Sequence, residues 1–526
     1  MACLFALIEP RDTQLHEIAN PMKVEPSSSE FSACYNAGEP LLVSTRLVAD
    51  LETPVAAMLK LAADRPYSFL LESVEGGAVR GRYSIIGLDP DILWRAHGNR
   101  AEINASPLEN MLAYRPCEGG ALSALRALLK ASRVDIPEHL PPMSAGIFGY
   151  LGYDTVRLVE RLPAEKPDPI GVPDALLMRP TIMVIFDAVK DEMIIVTTVR
   201  PQKTISAKTA YSRAIDRLTQ IQDALETKSA HASSVNEFEA VFASATSNMA
   251  PEDYMGMVSR AKEYIGAGDI FQVVLSQRFA TRFDLQPFAL YRALRRINPA
   301  PFLYFLNFGN FAVAGSSPEI LVRVREGEIT IRPIAGTRPR GATPEEDKRL
   351  AAELLADTKE RAEHLMLLDL GRNDVGRVAE TSSVRVTDSF FLEYYSQVMH
   401  IVSNVAGRLD AKHDSIDALM AGFPAGTVSG APKVRAMEII DELEPEKRGI
   451  YAGCIGYFAA NGEMDTCIAL RTAIVKDGMM YVQAGAGIVA DSVPASEQAE
   501  CENKARALFR AAEEAVRFAG QAGRGQ

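Results

Sequence analysis

The sequence predicts an α+β protein, in which antiparallel strand runs are mixed with long helices, and not a doubly wound parallel sheet. Three observations support this fold class. The apolar runs at 181–189 and 191–199 follow each other across a short polar stretch, which is typical of a β-hairpin. Segments with helical spacing interrupt the strands irregularly. The sequence contains no internal repeat.

The first part of the chain contains mixed elements. Residues 1–35 show little hydrophobic periodicity and contain the stretch PSSSE, so we expect a loosely ordered lead-in. Residues 67–74 and 82–88 are expected to form strands around a Gly-Gly turn. The spacing of apolar residues over 121–132 predicts a helix.

A stretch rich in serine and alanine marks the main boundary of the chain. It follows a polar helix predicted over 210–226 and precedes a helix over 251–269 that is expected to end at Gly266 and Gly268. The predicted division is a lead-in over 1–35, a first domain over 36–228, a linker over 229–250, a second domain over 251–518 and a tail over 519–526.

Length and charge limit the possible functions. A chain of 526 residues is too long for one hydrophobic core, so two or three domain-sized units are expected. The 56 basic and 68 acidic residues give a net charge of -12, which argues against nucleic acid or an anionic membrane as the main partner. A small anionic substrate remains compatible, because a few local arginines can set the field in one pocket.

The cysteines and the start of the chain indicate a compartment. Six cysteines occur without a CxxC pair or a histidine cluster, which argues against a zinc site and favours a reducing environment. The apolar run in MACLFALIEPRD lacks a basic leading region and is too short for a signal peptide or a membrane span. We therefore expect a cytoplasmic protein.

Two glycine-containing stretches imitate nucleotide motifs. GAGIVA at 485–490 fits the loose dinucleotide pattern, but only a polar segment and a last helix follow it, where a second strand with an acidic residue would be needed. AGTVSGAPK at 425–433 lacks the phosphate-loop spacing. Both nucleotide interpretations are rejected. Gly485 and Gly487 would still let backbone N–H groups approach an anion closely.

Two glutamate pairs have the spacing of one helix face. Glu360 and Glu363 form the first pair, Glu497 and Glu500 form the second, and Lys504 follows Glu500 by four residues. For either pair alone, surface ion pairing is the better interpretation. If all four faced one cleft they would repel one another unless a cation lay between them, and oxygen ligands of this kind suit Mg²⁺.

Residues 331–341, IRPIAGTRPRG, combine an apolar lead-in with a turn that carries two arginines and a threonine. This pattern indicates an anion-binding loop, although the anion cannot be named from the loop alone.

Seven stretches occur in one order and resemble, as a set, the chorismate-utilising enzymes, above all the large, chorismate-binding subunits of anthranilate synthases. The resemblance covers residues 36–518. It implies antiparallel sheets layered with helices in two interleaved subdomains around a cleft. The stretches are PIAGTRPRG, EHLMLLDLGRND, VMHIVSNVAG, FPAGTVSGAPKVRAMEII, RGIYAGCIGYF, DTCIALRTA and QAGAGIVADSVPASEQAECENKA.

The resemblance also implies a reaction. Chorismate and ammonia would give anthranilate and pyruvate with Mg²⁺ as the required ion, and tryptophan would inhibit. Ammonia would come from glutamine through a separate amidotransferase subunit. Such a module needs about 200 residues and a nucleophilic cysteine in a glycine-rich elbow. The sequence offers neither, so we expect a hetero-oligomer with a glutaminase partner.

By resemblance, Glu363 and Glu500 would bind Mg²⁺, while Glu360 and Glu497 would hold its waters. Glu319 resembles the general acid that protonates the leaving C4 hydroxyl, which requires a raised pKa. From the residues alone, Glu319 after Ser-Pro is better interpreted as an acid at a helix N-terminus.

Further residues resemble the substrate site. Arg471 would be a buried carboxylate clamp, although an arginine in an apolar strand could also lie on an exposed face. His400 resembles the histidine associated with pyruvate elimination, although a lone histidine in a strand is more often structural. The other expected contacts are Gly336, Thr337, Tyr451, Gly485, Ala486, Gly487 and Lys504.

Two positions separate the branches of the family. Isochorismate-forming enzymes carry a water-activating lysine where this chain has Gln272, and aminodeoxychorismate synthases carry an attacking lysine where it has Ala335. Both residues favour direct use of ammonia. The alternatives are an aminodeoxychorismate synthase component and a catalytically dead chain that only binds tryptophan.

A feedback site for tryptophan is also implied. Ser73 in LLES, with Pro301, Phe302 and Leu303 in NPAPFL, would line it. Ala300, Phe302 and Leu303 depart from the commoner N-P-S-P-Y-M, which leaves the strength of inhibition open. From the residues alone, both segments are ordinary core strands.

Overall fold

The computed structural model of the chain describes residues 22–62, 65–75, 79–163, 166–227, 245–395 and 398–519. The expected Gly-Gly turn at 76–77, most of the expected linker and most of the expected tail lie outside these ranges. Besides the α-helices, these ranges contain three short 3₁₀ turns, at Pro142–Ser144, Tyr153–Leu158 and Gly426–Val428.

The strands before the boundary include two long ones that pair over most of their length. In chain order the strands are β1 Val24–Glu25, β2 Leu41–Val48, β3 Ser68–Glu75, β4 Val79–His97, β5 Arg100–Asn104, β6 Arg115–Pro116, β7 Gly146–Leu151, β8 Ala175–Asp187 and β9 Glu192–Val199.

The remaining described strands follow the boundary. They are β10 Thr246–Ser247, β11 Gln272–Arg282, β12 Phe302–Asn307, β13 Phe311–Ser317, β14 Ile320–Arg325, β15 Glu328–Ile331, β16 Ile334–Pro339, β17 Arg385–Tyr394, β18 Val398–Arg408, β19 Gly430–Ala431, β20 Cys454–Ala459, β21 Met464–Ile468, β22 Thr472–Lys476 and β23 Met479–Ile488.

The α-helices of the described residues lie mainly on the outer faces of the strands. They are α1 Ser28–Ala37, α2 Pro54–Ala62, α3 Ala121–Ala131, α4 Ala207–Glu226, α5 Pro251–Ala267, α6 Pro287–Ile297, α7 Pro344–Ala356, α8 Thr358–Gly376, α9 Ser415–Gly422, α10 Lys433–Leu443 and α11 Pro494–Ala519. None of them is both long and apolar enough to cross a lipid bilayer.

Every strand pair between these elements is antiparallel, so the predicted α+β class is confirmed. The pairings form two layers. The first runs β1-β2-β9-β8-β4-β3-β12-β13-β22-β23-β11. The second runs β5-β4-β8-β7-β20-β21-β14-β15-β18, with β16 and β17 also pairing with β18.

The strands β4 and β8 belong to both layers. Pro90 lies opposite Pro180, and the register shifts between Pro90 and Ile92. Proline lacks the N–H that a sheet ladder uses, so a change of sheet at this point leaves few donors unsatisfied. The two layers are therefore one continuous hydrogen-bonded network.

One core lies between the layers and contains aromatic side chains from both. Phe69 of β3 stacks on Phe148 of β7 with ring centroids 4.7 Å apart. Two further cores lie between the sheets and the helices that cover them. Helices α1, α2, α4, α6 and α11 pack on the first layer, and α3, α5, α8, α9 and α10 contribute to the core against the second.

Strands from either side of the serine-rich boundary pair with each other. β3 pairs with β12, and β7 pairs with β20. Each layer therefore contains strands from both parts of the chain, which is the interleaving that the family resemblance implies. The division at 36–228 and 251–518 stays a prediction about the order of segments along the chain.

The expectation of a loosely ordered lead-in is wrong for the residues that the structure describes. Ser27 caps α1 by accepting a hydrogen bond from the Glu30 amide, and the Glu30 carboxylate accepts one from the Ser27 amide. Phe31 is fully buried against the first layer. Residues 1–21 lie outside the described ranges.

Several predicted elements are confirmed with altered bounds. The hairpin is β8 and β9, the helix over 121–132 is α3, and the strand at 82–88 is part of the longer β4. The helix α5 ends at Gly268, whose φ of 84° is left-handed, while Gly266 remains inside the helix.

Candidate active site

A cavity of about 830 Å³ opens where the end of α6, strand β18 and helix α11 meet. This volume lies in the range of small-molecule sites. It brings together side chains far apart in sequence, many of them predicted site residues. The lining includes Asn298, Pro318, His400, Arg471, Glu500 and Lys504.

Glu319 follows Pro318 in the connection between β13 and β14. No helix begins there, so the alternative of a helix N-terminal acid is wrong. Its side chain is buried, and the hydroxyl of Thr427 donates to its two oxygens at 3.2 and 3.1 Å. Burial raises the pKa of Glu319 to about 8, although the Thr427 hydroxyl and the Ile334 amide oppose the shift.

Arg471 was expected inside an apolar strand. The structure places it instead in the tight connection between β21 and β22, with a left-handed φ of 48°. Strain of this kind in a non-glycine residue is concentrated at functional sites. Within the described ranges its guanidinium has neither an ion pair nor a side-chain hydrogen bond, and burial lowers its pKa. It is therefore a positive group in the cavity wall that has no acidic partner among the described residues.

His400 lies on β18 opposite Thr337 of β16. Its Nδ1 is 3.2 Å from the carbonyl oxygen of Gly336 and 3.0 Å from the Thr337 hydroxyl. A carbonyl can only accept, so Nδ1 carries the proton and Nε2 carries a lone pair. Burial lowers the pKa of His400 to about 4. The ring is therefore neutral at physiological pH and can accept a proton at Nε2.

Gly336 lies where the register of β16 shifts, and its φ of 72° is left-handed. A β-carbon there would lie 3.2 Å from the Glu360 carboxylate and 3.2 Å from Ile401. Glycine at this position therefore lets the backbone pass close to both His400 and the acidic helix α8.

The two glutamate pairs do lie on helices, α8 and α11. The pKa of Glu363 is raised by burial and by the negative charges of Glu360 and Glu500, and the pKa of Glu497 by burial and by Glu500. The carboxylates are therefore close enough to repel one another. In the described part of the chain, however, no three acidic, histidine or cysteine side chains converge as a ready-made metal cluster.

Two basic side chains pair with these carboxylates. Lys504 lies 2.7 Å from Glu500, and Arg338 lies 2.9 Å from Glu360. An oxygen-only set of mutually repelling carboxylates fits a hard divalent cation such as Mg²⁺. Among them, Glu363 of α8 is affected by the charge of Glu500 of α11.

Gln272 connects the sheet to this acidic face. Its Nε2 donates to Glu363 at 3.0 Å, while its buried Oε1 has no hydrogen-bond partner among the residues that the structure describes. A β-carbon at Gly487 would lie 2.7 Å from the Gln272 Nε2, so glycine makes room for the amide. The predicted branch-determining residue thus touches a predicted metal ligand.

The stretch 485–487 lies within strand β23, which agrees with rejecting the nucleotide motif. Lys504 donates to the Gly485 carbonyl at 2.9 Å. Because the N–H and C=O of one strand residue point to the same edge, the Gly485 and Gly487 amides face away from β11, and Ala486 faces toward it. A β-carbon at Gly485 would lie 2.8 Å from the Tyr451 hydroxyl, which places Tyr451 beside these amides.

The loop 331–341 contains strand β16. Ala335 is buried and pairs with Ile401. Arg338, whose role the sequence left open, forms ion pairs with Glu353, Asp357 and Glu360. Arg340 pairs with Asp347 and donates to the Tyr395 carbonyl, so both arginines are engaged within the protein.

The residues expected to bind tryptophan lie together. Ser73 of β3 is the register partner of Phe302 of β12, and Leu303 pairs with the neighbouring Glu72. Glu72 is buried and accepts hydrogen bonds from Tyr291 and Arg295 of α6. Residues Asn298 to Ala300, in the connection between α6 and β12, line the cavity described above.

Sequence reasoning missed three residues of this site. Thr427 contacts Glu319, and its signal was present in the AGTVSGAPK stretch that was discarded as a nucleotide motif. Arg448 is buried, and its Nε and Nη2 donate to the two carboxylate oxygens of Glu444 at 2.9 and 2.6 Å. The signal for this pair is their i,i+4 spacing.

Comparison with known proteins agrees with this geometry. Residues 75–510 match the family of chorismate binding enzymes. The anthranilate synthase component 1 of Cereibacter sphaeroides is 56% identical over 501 residues, which cover 95% of this chain and 100% of that protein. That of Pseudomonas aeruginosa is 48% identical over 476 residues, covering 89% and 94%.

Solved structures agree as well. Anthranilate synthase component I from Streptococcus pneumoniae matches with a TM-score of 0.70 and 37% identity, covering 88% of this chain and 99% of that chain. The menaquinone-specific isochorismate synthase from Escherichia coli, at 18% identity, shares the fold with a TM-score of 0.67, covering 92% and 100%. The chain therefore belongs to the chorismate binding enzyme family and, within it, to the anthranilate synthase component 1 group, and it is a chorismate-utilising lyase.

Proposed function

We propose that the chain converts chorismate and ammonia into anthranilate, pyruvate and water. The observation that carries the proposal is the pairing of a buried acid and a neutral base around one cavity. Pro318, His400 and Arg471 line this cavity, and Glu319 is the buried residue that follows Pro318 in the chain. Their pKa values are shifted in opposite directions by the same cause, burial.

In the first half-reaction ammonia adds to the ring and the C4 hydroxyl leaves as water. With a pKa of about 8, the Glu319 carboxyl carries its proton at neutral pH and can donate it to the leaving oxygen. The carboxylate that remains is stabilised by the hydroxyl of Thr427 and the amide of Ile334.

In the second half-reaction the ring loses a proton and the enolpyruvyl group leaves as pyruvate. The Nε2 lone pair of His400 can take that proton, because Gly336 fixes the tautomer. The imidazolium formed would be stabilised by hydrogen bonds to Gly336 and Thr337.

The two carboxylates of chorismate have separate receptors in this proposal. Arg471 presents a planar guanidinium that has no acidic partner among the described residues, which suits a bidentate carboxylate. The amides of Gly485 and Gly487, with Tyr451 beside them, would donate to the same carboxylate as Arg471, while the ring carboxylate is bound separately.

Mg²⁺ would be held by Glu363 and Glu500, with Glu360 and Glu497 holding its waters. When bound, the ion would grip the ring carboxylate and withdraw electron density from the ring. Gln272 orients Glu363 by its hydrogen bond, and Lys504 neutralises part of the charge of Glu500.

A glutamine amidotransferase subunit would supply the ammonia, and tryptophan would inhibit by binding at Ser73, Pro301, Phe302 and Leu303. The name component 1 of the relatives supports a partner component. Ala335 supports the direct use of ammonia, since a methyl group cannot attack the ring as the lysine of an aminodeoxychorismate synthase does.

The test is an assay of the purified chain with chorismate, Mg²⁺ and ammonium, with and without tryptophan. Fluorescent anthranilate and an equal amount of pyruvate are expected, and tryptophan should lower the rate. A stable aminodeoxychorismate product without pyruvate would replace this proposal by the folate-pathway alternative. Tryptophan binding without any product would favour a catalytically dead chain.

Matched variants sharpen the assay. Glu319→Gln should stop product formation, because glutamine is close in size to glutamate but its amide cannot act as an acid. Glu326→Gln changes an exposed glutamate on the turn between β14 and β15 and should leave the rate unchanged. Full activity in Glu319→Gln would contradict the assignment of the proton donor.

A further inference from the structure

Thr427 occupies a special place beside the proposed proton donor. It lies in the 3₁₀ turn Gly426–Val428, and its hydroxyl donates to both oxygens of the Glu319 carboxyl. In the described ranges no other side chain hydrogen-bonds that carboxyl. Apart from the Ile334 backbone amide, the hydroxyl of Thr427 is therefore the group that orients the acid.

The turn that carries Thr427 is held rigidly on both sides. Ser429 donates its hydroxyl to the Ala425 carbonyl at 2.7 Å, which closes the turn on itself. The Val274 amide of β11 donates to the Ser429 carbonyl at 2.8 Å, which attaches the turn to the first layer.

Arg448 attaches the turn to strand β11 a second time. Its guanidinium donates to the carbonyls of Val428 and Val274, both at 2.7 Å, and pairs with the Glu444 carboxylate. Glu444 in turn accepts from the backbone and hydroxyl of Ser276 at 2.8 and 2.9 Å. A single buried ion pair thus joins strand β11 to the turn.

We propose that Thr427 is the positioning residue of the general acid: its hydroxyl fixes the Glu319 carboxyl in the orientation from which the proton is donated, and Arg448 holds Thr427 in place. This inference rests on the proposed function, in which Glu319 protonates the leaving hydroxyl. A protonated carboxyl has one O–H, and without a fixed partner it can turn either oxygen toward the substrate. A hydrogen bond that orients the carboxyl before the reaction lowers the barrier, because the donor does not have to find its orientation during the step.

The surroundings of Glu319 make the effect measurable. The causes of the shifted Glu319 pKa are burial, which raises it, and the Thr427 hydroxyl and the Ile334 amide, which lower it; no charged side chain contributes. The hydroxyl of Thr427 favours the carboxylate, so its removal should raise the pKa of Glu319 further. The descending alkaline limb of kcat should then move to higher pH.

The experiment compares pH profiles of kcat, at constant free ammonia, for Thr427→Val, Thr427→Ala and Thr427→Ser. The two variants without a hydroxyl should lose about tenfold in kcat, keep KM for chorismate within about twofold, and shift the alkaline limb upward. Thr427→Ser retains the hydroxyl and should keep the limb in place. Thr197→Val is the matched control, since it removes a buried threonine hydrogen bond in β9 at a distance from the cavity.

An alkaline limb at the wild-type position in either Thr427→Val or Thr427→Ala would overturn the inference, because a merely structural loss lowers kcat without moving the limb. A shifted limb in Thr197→Val would also overturn it. If the wild-type chain makes no anthranilate from ammonium, the proposed function fails instead.

Discussion

Burying the carboxyl of Glu319 should cost the protein stability at alkaline pH, and the substitution Glu319→Gln should recover it. Burial raises the pKa from 4.5 to about 8, so the folded chain holds a proton that the unfolded chain releases between these values. The free energy of unfolding therefore falls as pH rises through this window. At about 1.4 kcal/mol per pH unit, the full cost is about 5 kcal/mol.

Most of this cost should appear between pH 6 and pH 9. From the two pKa values, the penalty is about 2 kcal/mol at pH 6 and nearly 5 kcal/mol at pH 9. Glutamine has the same shape and no charge, so the variant should gain about 3 kcal/mol over wild type across this range. The prediction pairs greater stability with lost activity in one substitution.

Urea unfolding of both proteins at several pH values measures this difference. The variant Glu326→Gln, which removes an exposed carboxyl, measures the change in unfolding free energy that the loss of any carboxyl causes. A constant difference between Glu319→Gln and wild type from pH 6 to pH 9 would refute the reasoning. It would mean that Glu319 is ionised at neutral pH and is not poised to donate a proton.

Four further predictions concern other residues of the chain. Glu500→Gln should lower Mg²⁺-dependent turnover by about a hundredfold or more with an unchanged circular dichroism spectrum, and near-normal turnover would contradict the metal assignment. Arg471→Lys should raise KM for chorismate by at least about tenfold, because an ammonium cannot form two parallel bonds to a carboxylate; an unchanged KM would place that carboxylate elsewhere. Ala335→Lys should not increase the rate with ammonium in steady-state assays, and an increase would contradict the role given to this position. Lys433→Met leaves Asp374 buried without its partner at 2.8 Å and should destabilise the fold by about 3–5 kcal/mol in urea; a stability equal to wild type would show that Asp374 is neutral in the fold.

Local patterns predicted the elements well where the deciding forces were local. Hydrophobic spacing identified α3, α5 and the hairpin of β8 and β9. The lead-in was misjudged although its capping box was visible, since Ser27 and Glu30 have the S-x-x-E spacing. Its stability comes from Phe31, which packs on a sheet that the sequence alone does not display.

Long-range contacts limited the prediction of the site. The sequence placed Arg471 in a strand because its neighbours are apolar, but a turn with φ of 48° interrupts the run. Such a conformation depends on the strands that pair on either side. The role of Arg338 stayed open in the sequence for a similar reason, since the three carboxylates that engage it come later in the chain.

The sequence was more informative about the chemistry of single residues than about which residues meet in the fold. Gln272 and Ala335 could be weighed from the sequence because their importance is chemical. The link from Thr427 to Glu319 spans 108 positions of the chain and exists only once the sheets have assembled.

The two strands β4 and β8 couple the two layers mechanically, because they pair with each other and contribute to both. Loosening at the edge of one sheet is therefore resisted by the other. If the chain were cut at the serine-rich boundary, β3 and β7 would each lose the strand that covers one edge. Each fragment would then present open backbone donors and acceptors, so the fragments should either recombine with each other or aggregate.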